Sequence, residues 1–316
     1  MKLGSWVVCA WLATLPAFAA EVRYFKVPRG ARPHDVAPDP RADGPVWYTA
    51  QGQGALGRLD PTTGQVEQIA LGAGSAPHGV IVGPDGAPWV TDGGLNAIVR
   101  VDPVTRAVRR WPLPTADYTN LNTASFDKAG RLWFTGQSGV HGRLDPASGK
   151  VEVWKSPRGA GPYGITTTPA GEVYYASLAG SHIAHIDLSS GAAAPIDPPT
   201  PNQGARRIWS DSTGKLWVSE WLSGQVSVYD PPTRRWRAWK LPGNSPHTYS
   251  VWVDANDKVW LTDFSANAIL RFDPVTERFE SFPSTAANAS VRQMQGRAGE
   301  AWGAESGADR LVVIRH

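Results

Sequence analysis

The chain has 316 residues, and its 31 Lys and Arg against 28 Asp and Glu give a formal net charge of +3 at pH 7. The charges are scattered along the chain, which argues against a nucleic-acid partner, because phosphate-binding surfaces concentrate their cations. The 33 Gly, 27 Pro and 15 Trp favour many short strands joined by tight turns over helices.

The N-terminal residues 1–19 have the pattern of a secretory signal peptide. One Lys precedes an apolar run that ends in the small-residue motif Ala17-Phe18-Ala19, and we predict cleavage after Ala19. Cys9 lies in this segment and is the single cysteine, so the mature chain has no disulfide or cysteine ligand. Beyond residue 20 no apolar run reaches the roughly 20 residues of a membrane helix. We therefore expect a secreted, periplasmic protein.

One phrase, of the form D-G-x-x-W followed by a β-rich tripeptide, recurs seven times after the predicted signal peptide. Successive anchor residues of the phrase lie about 42 residues apart. Each copy reads as four short strands, with an Asp-containing turn such as RLDPTTG before the last one. We expect the anchors to fill the core between copies and the turn Asp residues to cap backbone N–H groups. The anchors are Trp47, Trp89, Trp133, Tyr174, Trp217, Trp260 and Trp302.

Seven four-stranded units predict an all-β fold, a seven-bladed β-propeller with antiparallel blades that fills residues 20–316 as one domain. A single unit cannot bury both of its faces, and closure into a ring protects the sheet edges. The seventh copy stops at ADRLVVIRH without its fourth strand, while EVRYFKVP at the mature N-terminus resembles the fourth strands of other copies. We expect that N-terminal strand to complete the last blade, and the protein to be a monomer.

The loop that enters the innermost strand of each blade is where function is expected, because a rigid scaffold presents these loops at one end of the channel. Counting back eleven residues from the anchors, with small offsets in the first and last copies, gives one candidate per blade. His247 belongs to the same rim. The seven candidates located by the count are His34, His78, Asn122, Tyr163, Arg206, Tyr249 and Arg292.

Acidic residues are expected at the same rim, because the second strand of each blade runs back toward it. The residue three positions after an anchor is acidic in four copies. Carboxylates beside imidazoles in a concave opening predict an acid/base or metal site. The four acidic residues are Asp92, Glu220, Asp263 and Glu305.

The repeated phrase in APHGVIVGPDGAPWVTD and GPYGITTTPAGEVYYAS resembles the streptogramin B lyase (virginiamycin B lyase) family of seven-bladed propellers, over residues 21–316. The resemblance implies an enzyme that opens a cyclic depsipeptide at its ester by elimination, with Mg²⁺. It also implies a reactive His in an R-P-H phrase and a Glu and His in an E-P-H phrase one blade on. Here R-P-H ends at His34, and the next blade has Ala76-Pro77-His78, so both histidines match and Ala76 stands at the Glu position.

The order of the blades differs from the family pattern. In the family these phrases occupy the last two blades, whereas here they occupy the first two. Mapping in chain order instead places Pro246-His247 on the first phrase and Ser290-Val291-Arg292 on the second, which keeps one His. Because a ring has no physical first blade, His34 and His78 can recreate the adjacency.

An elimination needs a base that titrates near neutral pH and an electrophile that stabilises the developing enolate. We expect His78 to be the base and His34 its partner, or the acid to the leaving oxygen. Mg²⁺ held by Glu305 or Asp92 would polarise the carbonyl. The expected substrate is a small molecule, a cyclic depsipeptide in the family. Its expected contacts are His247, Tyr163, Tyr249, Asn122, Arg206 and Arg292.

Two other functions fit the same mouth. A metal-dependent lactonase or esterase would add water and needs several Asp, Glu or Asn side chains on the channel axis. A non-catalytic periplasmic module that binds a ligand or partner would keep its affinity after loss of His34 and His78.

Overall fold

The computed structural model describes residues 20–316. The predicted signal peptide, with Cys9 in it, lies outside the described residues. The described chain forms seven antiparallel four-stranded sheets and one short 3-10 helix, Gln51–Gln53. The prediction of an all-β, seven-bladed propeller is therefore confirmed. Within residues 20–316, no helix has the length and hydrophobicity needed to cross a membrane.

The strands are numbered in chain order, beginning with β1 (Glu21–Lys26). Blade 1 contains β2 (Pro33–Pro38), β3 (Val46–Ala50), β4 (Ala55–Leu59) and β5 (Val66–Ala70). Blade 2 contains β6 (Pro77–Val82), β7 (Pro88–Asp92), β8 (Ala97–Val101) and β9 (Val108–Pro112). Blade 3 contains β10 (Leu121–Phe126), β11 (Leu132–Gly136), β12 (Val140–Leu144) and β13 (Val151–Lys155). Blade 4 contains β14 (Pro162–Thr167), β15 (Val173–Ser177), β16 (His182–Ile186) and β17 (Ala193–Ile196).

The remaining blades follow the same plan. Blade 5 contains β18 (Ala205–Ser210), β19 (Leu216–Glu220), β20 (Gln225–Asp230) and β21 (Arg235–Lys240). Blade 6 contains β22 (Thr248–Val253), β23 (Val259–Asp263), β24 (Ala268–Asp273) and β25 (Arg278–Pro283). Blade 7 contains β26 (Val291–Arg297), β27 (Glu300–Glu305), β28 (Arg310–Arg315) and β1.

The ring is closed through β1, which pairs antiparallel with β28. Glu21 lies opposite Arg315 and Lys26 opposite Arg310. The outer strand of blade 7 thus comes from the other end of the described chain. The first strand of every blade is innermost, and these seven strands contact one another in sequence around a central axis.

The anchor side chains are all buried in the core between strands. Most of their indole N–H groups donate to an acidic side chain shortly before the anchor: Trp133 donates to Asp127 at 2.9 Å, and Trp260 donates to Asp254 at 2.8 Å. The indole N–H of Trp47 is buried without a partner among the described residues. Pairing a buried donor avoids its desolvation cost of about 1–3 kcal/mol. The turn residue Asp60 accepts hydrogen bonds from the backbone N–H groups ahead of it, as predicted for the Asp-containing turns.

Candidate active site

Seven side chains, one from each blade, meet at one mouth of the channel. Each is the second residue of an innermost strand, and none has a Cα partner in the register with the neighbouring strand. Such an irregularity leaves one residue unpaired and re-aims its side chain, here toward the axis. These are the residues that the anchor spacing predicts: His34, His78, Asn122, Tyr163, Arg206, Tyr249 and Arg292.

The imidazoles of His34 and His78 lie against each other. Their ring centroids are 3.8 Å apart and the rings are tilted by 46°. His34 is 2% exposed and His78 is 7% exposed, so both lie at the bottom of the mouth. The adjacency on which the predicted catalytic roles depend is therefore present in the structure.

A second layer below these residues contains a buried ion pair that sequence reasoning missed. The guanidinium of Arg207 on blade 5 reaches across the channel to Asp35 on blade 1, with Nη2 3.1 Å from Oδ1. Arg207 also donates to Thr123 on blade 3. Gly164 leaves room for this arrangement, because a Cβ there would lie 2.7 Å from the Cα of Arg207. Three blades are thus tied together across the axis.

Hydrogen bonds fix the tautomer of His34. Its Nδ1 lies 2.7 Å from Oδ1 of Asp35. Burial raises the pKa of Asp35, whereas the guanidinium of Arg207 beside it acts in the opposite direction and favours the carboxylate. A carboxylate can only accept, so in that form Nδ1 of His34 carries the proton. Nε2 therefore has a free lone pair, and the hydroxyl of Tyr249 lies 3.3 Å from it. The order carboxylate, imidazole, phenol provides a path for proton transfer between Tyr249 and His34.

The orientation of His78 is set by Asn122. Thr123 accepts from Arg207 and donates to Oδ1 of Asn122 at 2.8 Å, so the amide nitrogen of Asn122 faces His78. That nitrogen lies 3.2 Å from Nε2 of His78. Nε2 therefore carries the lone pair and is the basic atom of this imidazole. Nδ1 is buried without a hydrogen-bond partner in the described part of the chain.

Both imidazoles are held neutral at pH 7. Burial lowers the pKa of His34 well below 6.5, and the guanidinium groups of Arg292, Arg207 and Arg206 lower it further. Burial and then the neighbouring His34 likewise lower the pKa of His78, which Asp35 partly opposes. A neutral imidazole is the form that can accept a proton.

Two tyrosines and two arginines complete the mouth. The hydroxyls of Tyr163 and Tyr249 lie 2.8 Å apart, and Nη2 of Arg206 donates to Tyr163 at 2.9 Å. Arg292 lies over Tyr249 and its Nη1 is 3.4 Å from that hydroxyl. Burial raises the pKa of Tyr249, but the guanidinium groups of Arg206, Arg207 and Arg292 together outweigh it and bring that pKa to about 8. Burial, and then Tyr249, raise the pKa of Tyr163.

The acidic residues predicted at this rim face the loops and not the imidazoles. Asp92 accepts from Ser75 at 2.5 Å and from the backbone N–H groups of Ala76 and Leu95. Glu305 accepts from Ser284 at 2.7 Å and pairs with Arg310. The carboxylate that the structure places beside the imidazoles is Asp35.

The other two acids and His247 also belong to the rim loops. Glu220 accepts from Ser223 at 2.6 Å. Asp263 accepts from the backbone N–H of His247 at 2.9 Å, and the ring of His247 bonds Ser265 at 2.7 Å. His247 packs against Trp221, with ring centroids 5.0 Å apart, beside the axial cluster.

Within residues 20–316, one group of three residues has the donor atoms and spacing to hold a metal ion: His34, Asp35 and His78. Two imidazoles and one carboxylate do not fit Mg²⁺, which prefers an octahedral shell of oxygen atoms. Oδ1 of Asp35 is moreover shared by His34 and Arg207. The positive charge near the imidazoles is supplied by arginines.

The family profile described as Virginiamycin B lyase family matches residues 14–248. No curated protein sequence matches the chain significantly. The match ends at the first residue of β22 and so covers blades 1 to 5.

Several solved structures share the fold. A streptogramin B lyase structure superposes with a TM-score of 0.86 at 20% identity, covering 94% of this chain and 97% of that one. The selenomethionine-substituted virginiamycin B lyase from Staphylococcus aureus gives 0.86 at 18% identity, covering 94% and 100%. YCF48 bound to D1 peptide gives 0.71 at 14% identity, covering 93% and 94%. At these identities the likeness is one of fold alone.

Proposed function

The chain belongs to the virginiamycin B lyase family, and from that membership we propose that it is a carbon–oxygen lyase that opens an ester, as in a cyclic depsipeptide, by elimination at the mouth of the axial channel. The observation that carries the proposal is the contact between the rings of His34 and His78. The predicted signal peptide at residues 1–19 supports export, with the reaction in the periplasm.

His78 is the proposed base. It is the more exposed of the two imidazoles, is neutral at pH 7, and has its lone pair on Nε2. A substrate that displaces the amide of Asn122 can present to Nε2 a C–H bond next to a carbonyl. General-base catalysis of this kind contributes about 10²- to 10⁴-fold.

His34 and Asp35 support the imidazolium that forms on His78. The ring of His34 is oriented by its hydrogen bond to Asp35, and the Asp35 carboxylate favours positive charge on His78. His34 can also exchange a proton with Tyr249 through Nε2. These residues position and stabilise the base.

The electrophile that an elimination needs is assigned to the arginines. Their guanidinium groups stay charged at any physiological pH and require no metal. A cation next to a developing enolate in a site shielded from water is worth several kcal/mol. This replaces the role expected for Mg²⁺ at Glu305 or Asp92.

A binding function is the second candidate. Both imidazoles are nearly buried, and a propeller of similar fold is recorded with a bound peptide. In that case the mouth would hold a ligand through its arginines and tyrosines, and His78 would have no effect on turnover. A lactonase has less support, because Asp35 is the single carboxylate among the described residues at the His34–His78 pair.

The test incubates the mature chain with a streptogramin B such as quinupristin and separates the products by chromatography. We expect the wild type and His185→Ala to open the ring. In His78→Ala we expect the rate of ring opening to fall at least about 10²-fold. His185 lies on β16, away from the mouth. Failure of the wild type to open the ring, or full activity of His78→Ala, contradicts the proposal.

A further inference from the structure

Arg206 is a cation without a carboxylate partner at the mouth. Its guanidinium carbon lies over the rings of Tyr249 at 3.8 Å and Trp221 at 4.7 Å. Nη2 donates to the hydroxyl of Tyr163, while Nε is buried and has no hydrogen-bond partner among the described residues. The guanidinium is thus held in place by aromatic contacts with donor capacity unused.

Arg292 is a second such cation. Its Nε donates to Ser306 at 2.9 Å, and Nη1 reaches Tyr249. Arg292 also lines a pocket of about 540 Å³ between blades 7 and 1, together with Arg29 and Arg32. The acid in this pocket is Asp309, whose two oxygens accept from the backbone N–H groups of Gly30 and Arg32.

Several arginines on the third strands of the blades do have acidic partners. Arg100 pairs with Asp85, Arg143 with Glu152, and Arg271 with Glu280. Within residues 20–316, the axial cluster contains two charged contacts, His34–Asp35 and Arg207–Asp35. The positive charges of Arg206 and Arg292 therefore have no acidic partner among the described residues. Neutral imidazoles do not change this excess. Two unpaired guanidinium groups that converge on one opening are suited to bind a carboxylate.

We propose that Arg206 and Arg292 bind a carboxylate group of the substrate. The assignment rests on the proposed function in one respect, that the ligand is the molecule undergoing elimination. In this elimination the C–H electrons form the C=C bond and Nε2 of His78 receives the proton. The C–O bond breaks, and its electron pair stays on the leaving oxygen.

That chemistry offers two sources for the carboxylate. In an ester substrate, the acyloxy leaving group departs as a carboxylate anion, and the arginines stabilise the negative charge that forms on it. In an alkoxy acid, the carboxylate is attached to the carbon that loses its proton. There the arginines neutralise it and make the C–H bond more acidic. No water enters the product in either case.

Binding is tested first, without turnover. The probes are N-acetylphenylalanine, its amide and inorganic phosphate, each titrated calorimetrically into the mature wild-type protein. We expect the free carboxylate to bind about 10-fold or more tightly than the amide. We expect the affinity for the carboxylate to fall by a similar factor in Arg206→Met and in Arg292→Met. Arg235→Met, an exposed position on β21, is the matched control. Equal affinity for acid and amide, unchanged affinity in both variants, or tighter binding of phosphate overturns the proposal.

Turnover separates the two sources. The substrates are an O-acylthreonine flanked by amides, a linked uronate oligosaccharide, and the methyl ester of that oligosaccharide. Elimination from the first that falls about 10-fold or more in Arg206→Met assigns the leaving carboxylate. Elimination from the uronate, faster than from its methyl ester, assigns the carboxylate next to the proton. Carboxylate binding with no elimination from any substrate defeats the proposed function and leaves this assignment standing. Elimination that is equal in wild type and both Arg variants defeats this assignment and the role of Arg206 and Arg292 as electrophile, and leaves the elimination itself standing.

Discussion

The imidazole of His34 on blade 1 lies 3.8 Å, centroid to centroid, from that of His78 on blade 2. The two residues reach this contact because each is the unpaired second residue of an innermost strand. Around them Asp35, Asn122 and Tyr249 fix where the protons lie. The proposed elimination depends on this arrangement.

The acid limb of the activity profile is expected well below pH 6.5. Burial lowers the pKa of both His34 and His78 in the folded chain. The unfolded chain takes up these protons near pH 6.5, so stability present above that pH is lost as the pH falls toward the folded pKa values.

In Asn122→Asp, a carboxylate near Nε2 of His78 should raise the pKa of His78 and move the acid limb of kcat/KM upward. An acid limb at 6.5 in the wild type, or no movement in the variant, contradicts this.

Tyr249 should ionise near pH 8. Burial raises its pKa, but three guanidinium groups bring it to about 8, while the pKa of Tyr163 is raised by burial and by Tyr249. An ultraviolet difference titration should show one phenol ionising ahead of the rest, lost in Tyr249→Phe and kept in Tyr163→Phe. Because the folded pKa is lower than the unfolded value near 10, the wild type should also gain stability over Tyr249→Phe between about pH 8 and 10. A titration that is identical in both variants is the contrary result.

Asp35→Asn should destabilise the fold strongly. It leaves the guanidinium of Arg207, 1% exposed, without a counter-charge, which costs about 3–5 kcal/mol in the free energy of unfolding. The double variant Asp35→Asn with Arg207→Met should recover part of that loss. Asp197→Asn removes one partner of the exposed Arg158–Asp197 pair and should cost at most about 1 kcal/mol. Urea unfolding measures all three, and equal costs for the two single variants would show that the axial pair is not special.

Chelation of divalent ions should leave the activity unchanged. The His34, Asp35 and His78 donors do not suit Mg²⁺, and the arginines supply positive charge without it. The assay compares wild-type rates with and without a chelator and with added magnesium. A loss of activity on chelation that magnesium restores would contradict the assignment of the electrophile to the arginines.

The repeat determined most of what could be predicted from sequence. Anchor spacing predicted seven blades, and counting back from Trp89 or Trp260 located His78 and Tyr249 correctly on the axis. The count selected one residue per blade. It therefore missed Asp35 and Arg207, which directly follow the counted residues of their blades and meet across the axis. The pairs His34-Asp35 and Arg206-Arg207, polar residues in sequence at the start of an inner strand, were the available signal.

The directions of the rim carboxylates could not be predicted in the same way. Asp92 and Glu305 do lie at the expected end of their strands, opposite Pro77 and Val291. Their side chains nevertheless bond the loops, because Ser75 and Arg310 are nearer partners than the imidazoles. Asp92 and Asp263 accept from the backbone N–H groups of Ala76 and His247, whereas Glu220 and Glu305 accept from Ser223 and Ser284, so the direction depends on the loop of each blade.

The central claim is that the mouth performs an elimination. In the most direct measurement, the wild-type protein opens the ester in water labelled with a heavy oxygen isotope, and mass spectrometry determines the mass of the product. The account predicts a ring-opened product of unchanged mass, with a new C=C bond and no label in its carboxylate. A product that is heavier by one labelled water would mean hydrolysis, and the roles given to His78 and the arginines would then be wrong.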